Sequence, residues 1–141
     1  WLGAWSVEPL DPFILPTIGG AVAVLERAAS LNPDFNDGAI WDVLTSFYAG
    51  APADFGGSME RAIEVHQKAL DASKGMTAGP YVTYAQSICI SLQDYDGFDT
   101  ALEKALLINP DDNPSTRLAT IISQEKARFL QNNRDNFFIF W

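Results

Sequence analysis

At 141 residues the chain is long enough for one domain with its own core, and 48% apolar with 19% charged residues marks a globular chain. A formal net charge of −9 argues against nucleic acid and against an anionic membrane surface, both of which call for clustered Lys and Arg. No apolar run approaches the roughly 20 residues of a membrane helix, and the single Cys89 and single His66 leave no internal disulfide and no Cys-based metal site.

The chain begins at Trp1 without Met and in mid-pattern, which reads as a piece of something longer. Pro9, Pro12 and Pro16 bar a continuous helix through the first segment, so PLDPFILP is expected to be a loop laying Phe13, Ile14 and Leu15 on the core. Thr17–Leu31 is the first clear helix, with apolar residues at 18, 21, 22, 25, 28 and 29, and Asn32-Pro33 stops it. Asn36 or Asp37 is expected to cap a helix over 38–49 whose stripe is Ile40, Trp41, Leu44, Phe47 and Tyr48. After the connection GAPADFGG, Ser58 caps a helix ending at Gly75, with Met59, Ala62, Ile63, His66, Ala69 and Leu70 facing one way. Pro80 opens the next helix, striped by Tyr81, Tyr84, Ala85, Ile88, Cys89 and Leu92. A helix over 98–108 follows, ended by Asn109-Pro110. The last helix spans about 114–132, with Leu118, Ile121, Ile122, Phe129 and Leu130 as its expected buried side. The tail NFFIFW has too much apolar surface to stay wet; it packs back on the last helix or joins a subunit or partner contact.

Three of these helices are copies of one pattern. Ala21, Leu25, Ala28 and Pro33 match Ala62, His66, Ala69 and Lys74, which match Phe98, Leu102, Ala105 and Pro110. The anchor alanines 28, 69 and 105 stand 41 and 36 residues apart, a period that predicts a stacked helical array. The helix pairs resemble tetratricopeptide repeats. Trp41 and Tyr48 hold the large first-helix places, and Ala62, His66 and Ala69 the second-helix places; in the last pair Val82 and Cys89 replace Trp and Tyr, and Phe98 replaces the small Ala. The expected fold is all-α: an antiparallel array of helix pairs over one domain, residues 1–141. It comprises a first-pair helix (17–33), a second pair (37–75), a third pair (79–110) and a capping helix with aromatic tail (113–141).

A closer resemblance runs through nearly the whole chain. It rests on Ala49 to Pro52, Gly56-Gly57 with the following Glu60-Arg61-Ala62, Phe98, and the stretch with Pro114, Arg117, Leu118, Ala119, Gln124, Lys126, Ala127, Arg128, Phe129 and Leu130. In this order and spacing the chain is similar to the T component of TRAP transporters, the TatT family. The resemblance implies an envelope lipoprotein facing the periplasm, anchored through an upstream segment. It implies a trimer around a pore, association with the substrate-binding protein of a TRAP transporter, and a small apolar organic ligand. It further implies that this chain is the C-terminal part of a longer one. The alternative reading is a generic tetratricopeptide scaffold that binds a peptide or partner helix in its concave groove.

No residue set suggests an enzyme, a cofactor or a metal site. His66 lies on an apolar stripe and reads as a packing residue, Cys89 as a buried inert thiol. Gly56-Gly57 lacks the preceding strand and the Lys-Ser/Thr of a phosphate loop and reads as a turn. Asp111-Asp112-Asn113 lacks calcium-loop spacing and reads as a solvated turn and cap. The aromatic residues are the candidate ligand or partner groups. Trp41, Tyr48, Tyr81 and Tyr84 stand on first helices, which line the concave side of such arrays, and Phe55 lies in the inserted connection.

Overall fold

The computed structural model describes residues 14–139, with side chains from residue 20 onward, Asn36 excepted. The segment WLGAW, the expected core contacts of Phe13 to Leu15, and the terminal Phe140 and Trp141 lie outside those described residues or side chains. The described chain is all-α, with six helices and no strand.

Helix α1 is Ile14–Leu31. It starts before Pro16, where the sequence pattern expects a loop. Pro16 falls in the first turn, where backbone N–H groups have no acceptor within the helix, so its missing donor costs nothing there. Helix α2, Ala39–Gly50, follows a 3-10 turn, Phe35–Gly38, and is entered through Gly38 at φ 84°, so the N-cap position falls on Gly38 rather than on Asp37, and the Asn36 side chain lies outside those described. Gly38 is required twice over: its backbone is left-handed, and a Cβ there would stand 2.8 Å from the Ala72 methyl group.

The connection after α2 is closed by Gly56 and Gly57. Gly56 takes φ 94°, and a Cβ on Gly57 would fall 1.8 Å from the Ala51 carbonyl oxygen, so this turn admits no side chain. Helix α3, Met59–Ser73, is capped by Ser58, whose Oγ accepts from the Arg61 N–H at 3.3 Å. Ser58 N–H also donates to the Tyr48 carbonyl at 2.9 Å. The end of α2 thus meets the start of α3, and Gly38 meets Ala69 and Ala72 at the other end, which makes the pair antiparallel.

Helix α4 is continuous but not uniform. It runs as α-helix over Gly79–Thr83, widens to a π-helix over Tyr84–Cys89, and returns to α over Ile90–Leu92. The wider turn rotates the stripe: Ala85, Ile88 and Cys89 are buried, whereas Leu92, expected inside, is exposed. Helix α5, Tyr95–Leu107, is capped by Asp94 through the Gly97 N–H at 3.0 Å, and α6 is Arg117–Asn132.

Helix α6 lies antiparallel on α5. The buried Gln124 amide donates to the carbonyls of Ala105 at 3.0 Å and Ile108 at 2.6 Å, two acceptors the end of α5 leaves open. At the far end, Arg134 pairs with Asp99 near the start of α5 at 2.9 Å. The inner face of α6 is therefore Thr120, Gln124, Ala127 and Leu130. This corrects the expected burial of the last helix: Leu118, Ile122 and Phe129 face outward.

The core has two adjoining parts. Ala29 of α1, Trp41, Leu44, Phe47 and Tyr48 of α2, and Ala62, Val65 and Ala69 of α3 form one. Val82 and Cys89 of α4, Phe98, Leu102 and Ala105 of α5, Ala127 and Leu130 of α6, and Phe138 form the other. The tail packs on the start of α5, in the same cluster as Ala127 and Leu130 of α6. Phe138 sits edge-on to Tyr95 and Phe98, with centroids 5.4 and 5.0 Å away, and Gln93 clamps the tail by donating to the Phe137 carbonyl and accepting from the Ile139 N–H.

Candidate functional site

A groove of about 460 Å³ opens between α3, α4 and α5. Ile63, His66 and Leu70 form its α3 wall, Tyr81 and Tyr84 its α4 wall, and Thr100 and Lys104 stand on α5. Two local features build it. The rotation of α3 that buries Val65 turns Ile63 outward, and the π segment of α4 begins at Tyr84. Single π turns inside α-helices often accompany functional sites because they re-aim side chains.

His66 and Tyr84 stack at 4.7 Å between centroids with the rings inclined by 28°. Burial pushes His66 from its ordinary 6.5 down to about 4, and its Nδ1 is enclosed with no hydrogen-bond partner. At neutral pH the imidazole is uncharged, so the groove presents an aromatic pair rather than a cation. Burial also raises the Tyr84 phenol, with smaller contributions from Cys89 and Asp94. Cys89 is pushed up to about 12, by burial first and then by the Asp94 charge. Its thiolate, the reactive form, is absent near neutral pH.

Of the five aromatic residues singled out in the sequence, Tyr81 and Tyr84 meet in this groove, and the other three lie elsewhere. Trp41 is 8% exposed; its indole N–H donates to the Pro33 carbonyl at 3.0 Å, and Lys68 lies over its ring. Tyr48 is 3% exposed and joins three helices: its hydroxyl bonds Glu26 of α1, and Arg61 of α3 lies over its ring and pairs with Glu26 at 3.6 Å. Phe55 is half-buried in the 3-10 turn Ala53–Phe55. The groove adds Ile63 and Lys104, which stripe counting assigns to core and to solvent respectively. Gln67, one turn from Ile63 on the same edge of α3, could have been found by that spacing.

Among the described residues no group of three or more His, Cys, Asp or Glu could hold a metal ion, and no helix is long and apolar enough to cross a membrane. The arrangement can hold a ligand by apolar and aromatic contact, with Lys104 and Asp96 at its edge.

Antiparallel helices stacked with their pairs in chain order, a glycine-closed inserted turn and an aromatic groove define an all-α helix-array protein. The chain belongs to the TRAP transporter T-component family, whose model matches residues 1–138. It is 39% identical over 139 residues to an uncharacterized protein of Treponema pallidum (strain Nichols), an alignment covering 99% of this chain and 43% of that protein. The chain thus spans less than half the length of that curated relative.

Proposed function

We propose that the chain is a non-enzymatic accessory part of a TRAP-type solute uptake system, which docks on the system's substrate-binding protein through the outer face of α6. The transport reading is supported by family membership across residues 1–138. The observation that carries the docking surface is a single apolar ridge: Leu118, Ile122 and Phe129 are 71%, 60% and 60% exposed. Their spacing of four and seven sets them one above another on the helix. An exposed apolar ridge of this kind suits a partner. Glu125 lies between Ile122 and Phe129 and pairs with Arg128, so the ridge has a charged border.

In this proposal the groove of Tyr81 and Tyr84 takes the solute, a small apolar organic molecule. The protein works in the periplasm, held by a lipid anchor upstream and assembled as a trimer around a pore. A second reading, a tetratricopeptide-type scaffold for a peptide, is favoured by the groove being open along its length between Ile63 and Lys104.

Calorimetric titration with the cognate substrate-binding protein tests the docking. Binding is expected for the native chain, and a loss of about tenfold or more for Ile122→Glu, which keeps helical circular dichroism because the residue is exposed. No binding by the native chain, or equal binding by the variant, overturns the proposal. A peptide bound in the groove with affinity unaffected by Ile122→Glu selects the second reading.

A further inference from the structure

Where α2, the start of α4 and the start of α6 converge lies a separate cavity of about 210 Å³. Its lining is unlike the groove's. Asp37 and Asp42 supply carboxylates, and Thr77, Thr116, Thr120 and Ser123 supply hydroxyls. Among the described residues no Lys, Arg or His lines it. Gly79 brings bare backbone to the wall: a Cβ there would stand 3.4 Å from Asp42 Oδ2 and 3.8 Å from Ser123 Oγ.

Asp42 is the unusual member. Its Oδ1 is enclosed and has no hydrogen-bond partner in the protein. A buried carboxylate oxygen left unpaired is costly, and native structures rarely keep one without a use. Burial raises Asp42 from its ordinary 3.8 to about 6, a rise that the Thr83 hydroxyl and the Lys126 charge only partly offset. Asp37 is better served, because its Oδ2 accepts from Asn113 Nδ2 at 3.3 Å.

We infer that this cavity is a binding site for a small protonated amine, held by the Asp42 carboxylate and the hydroxyls around it. The assignment is independent of the transport reading and of the α6 ridge. The donor inventory selects the ligand. Carboxylates only accept hydrogen bonds, so the ligand must donate; two carboxylates repel an anion; an ammonium answers the charge of the Asp42 carboxylate. For a metal ion the cavity falls short on anionic ligands: among the described residues no group of three or more His, Cys, Asp or Glu could hold one. The size suits a molecule of a few non-hydrogen atoms carrying an ammonium and a hydroxyl.

The cavity's charged groups give the binding its pH dependence. Asp42 from α2 faces it, with Asp37 on the preceding turn and Lys126 acting from α6. An ammonium binds the ionised carboxylate, so affinity rises as pH rises through about 6.

Ethanolamine is the probe, with ethylene glycol as its neutral control, and carbon-13 carboxyl shifts of the protein are the readout. Saturable binding at pH 8 is expected, with a downward move of the Asp42 titration midpoint in its presence and at least about tenfold weaker binding by Asp42→Asn. Gly79→Ala, whose added methyl group meets ordinary contacts, is a second variant that narrows the cavity without clash, and it should weaken binding while leaving the Asp42 midpoint in the free protein raised. A cavity that holds water only would show no ethanolamine binding at tens of millimolar, or ethylene glycol binding equally well. Either result, or unchanged binding by Asp42→Asn, overturns the inference.

Discussion

In the α2–α3 pair the bulk stands on the first helix: Trp41, Phe47 and Tyr48 meet Ala62, Val65 and Ala69. In the α4–α5 pair it stands on the second: Val82, Ala85 and Cys89 meet Phe98 and Leu102. Cys89 occupies the place of Tyr48 in the repeat, and Phe98 the place of Ala62. Interiors are packed to the density of organic crystals, so volume removed from one helix must be restored by its neighbours. Here Phe98 restores most of it, and Phe138 arrives from the tail to complete the cluster. The difference teaches that the space between two paired helices can be filled from either one: from the first helix in one pair, from the second in the other.

The largest expected effect comes from breaking the second pair at its centre. Phe98 is fully buried, and Phe98→Ala should cost about 3–5 kcal/mol in chemical denaturation. The corresponding alanine of the first pair, Ala62, is equally buried beside Tyr48, so Ala62→Phe should overpack and also destabilise. If Phe98→Ala costs under about 1 kcal/mol, the exchange of bulk is not what holds this pair.

The seam between the pairs gives the next effect, through pH. Asp42 has a folded value of about 6, above its ordinary 3.8; the folded state holds its proton more tightly. Its contribution is therefore present at low pH and lost as pH rises through about 6, by about 2–3 kcal/mol. His66 does the reverse. Its folded value of about 4 lies below the ordinary 6.5, so its contribution is present above 6.5 and lost as pH falls toward 4. The two oppose each other across one window, and native stability should change little between pH 4 and 6.5 from this pair. Asp42→Asn should expose a loss of stability on acidification, and His66→Phe a gain, as read by urea midpoints. Identical pH profiles for all three proteins would contradict the assignment.

The smallest effect sharpens the comparison at the helix ends. Each pair has a non-glycine residue in the left-handed region, Lys74 at φ 55° and Gln93 at φ 56°. Lys74→Gly should stabilise the protein by about 0.5–1 kcal/mol by relieving the Cβ strain. Gln93→Gly should destabilise, despite the same relief, because the Gln93 amide holds both Phe137 and Ile139. Thermal midpoints of the two variants should move in opposite directions.

Much of the all-α architecture was legible in the sequence because periodicity and stop signals agree. Ser58 caps α3 and Asn109-Pro110 ends α5, and both signals act through backbone geometry within a few residues. The face of α6 was not legible. Counting apolar residues puts Leu118, Ile122 and Phe129 inside, whereas the open carbonyls of Ala105 and Ile108 select Gln124. That choice belongs to the partner helix and leaves no trace in the local pattern. The π turn is likewise hidden, since YAQSIC reads as ordinary α-helix. At the groove, period-three spacing brings Tyr81 and Tyr84 together on paper as in space. Trp41 and Tyr48 also stand on a first helix of the pattern, yet Lys68 and Arg61 cover them. Asp42 gave no signal, because a lone acid on a helix reads as solvated until two other helices are laid over it.

The most direct measurement is a methyl NMR titration with the cognate substrate-binding protein. The α6 ridge carries Leu118 and Ile122, and the groove carries Ile63 and Leu70, so each surface has its own reporters. The account predicts that the partner broadens or shifts Leu118 and Ile122 while leaving Ile63 and Leu70 in place. Shifts confined to Ile63 and Leu70, or no shifts at all at saturating partner, would contradict it.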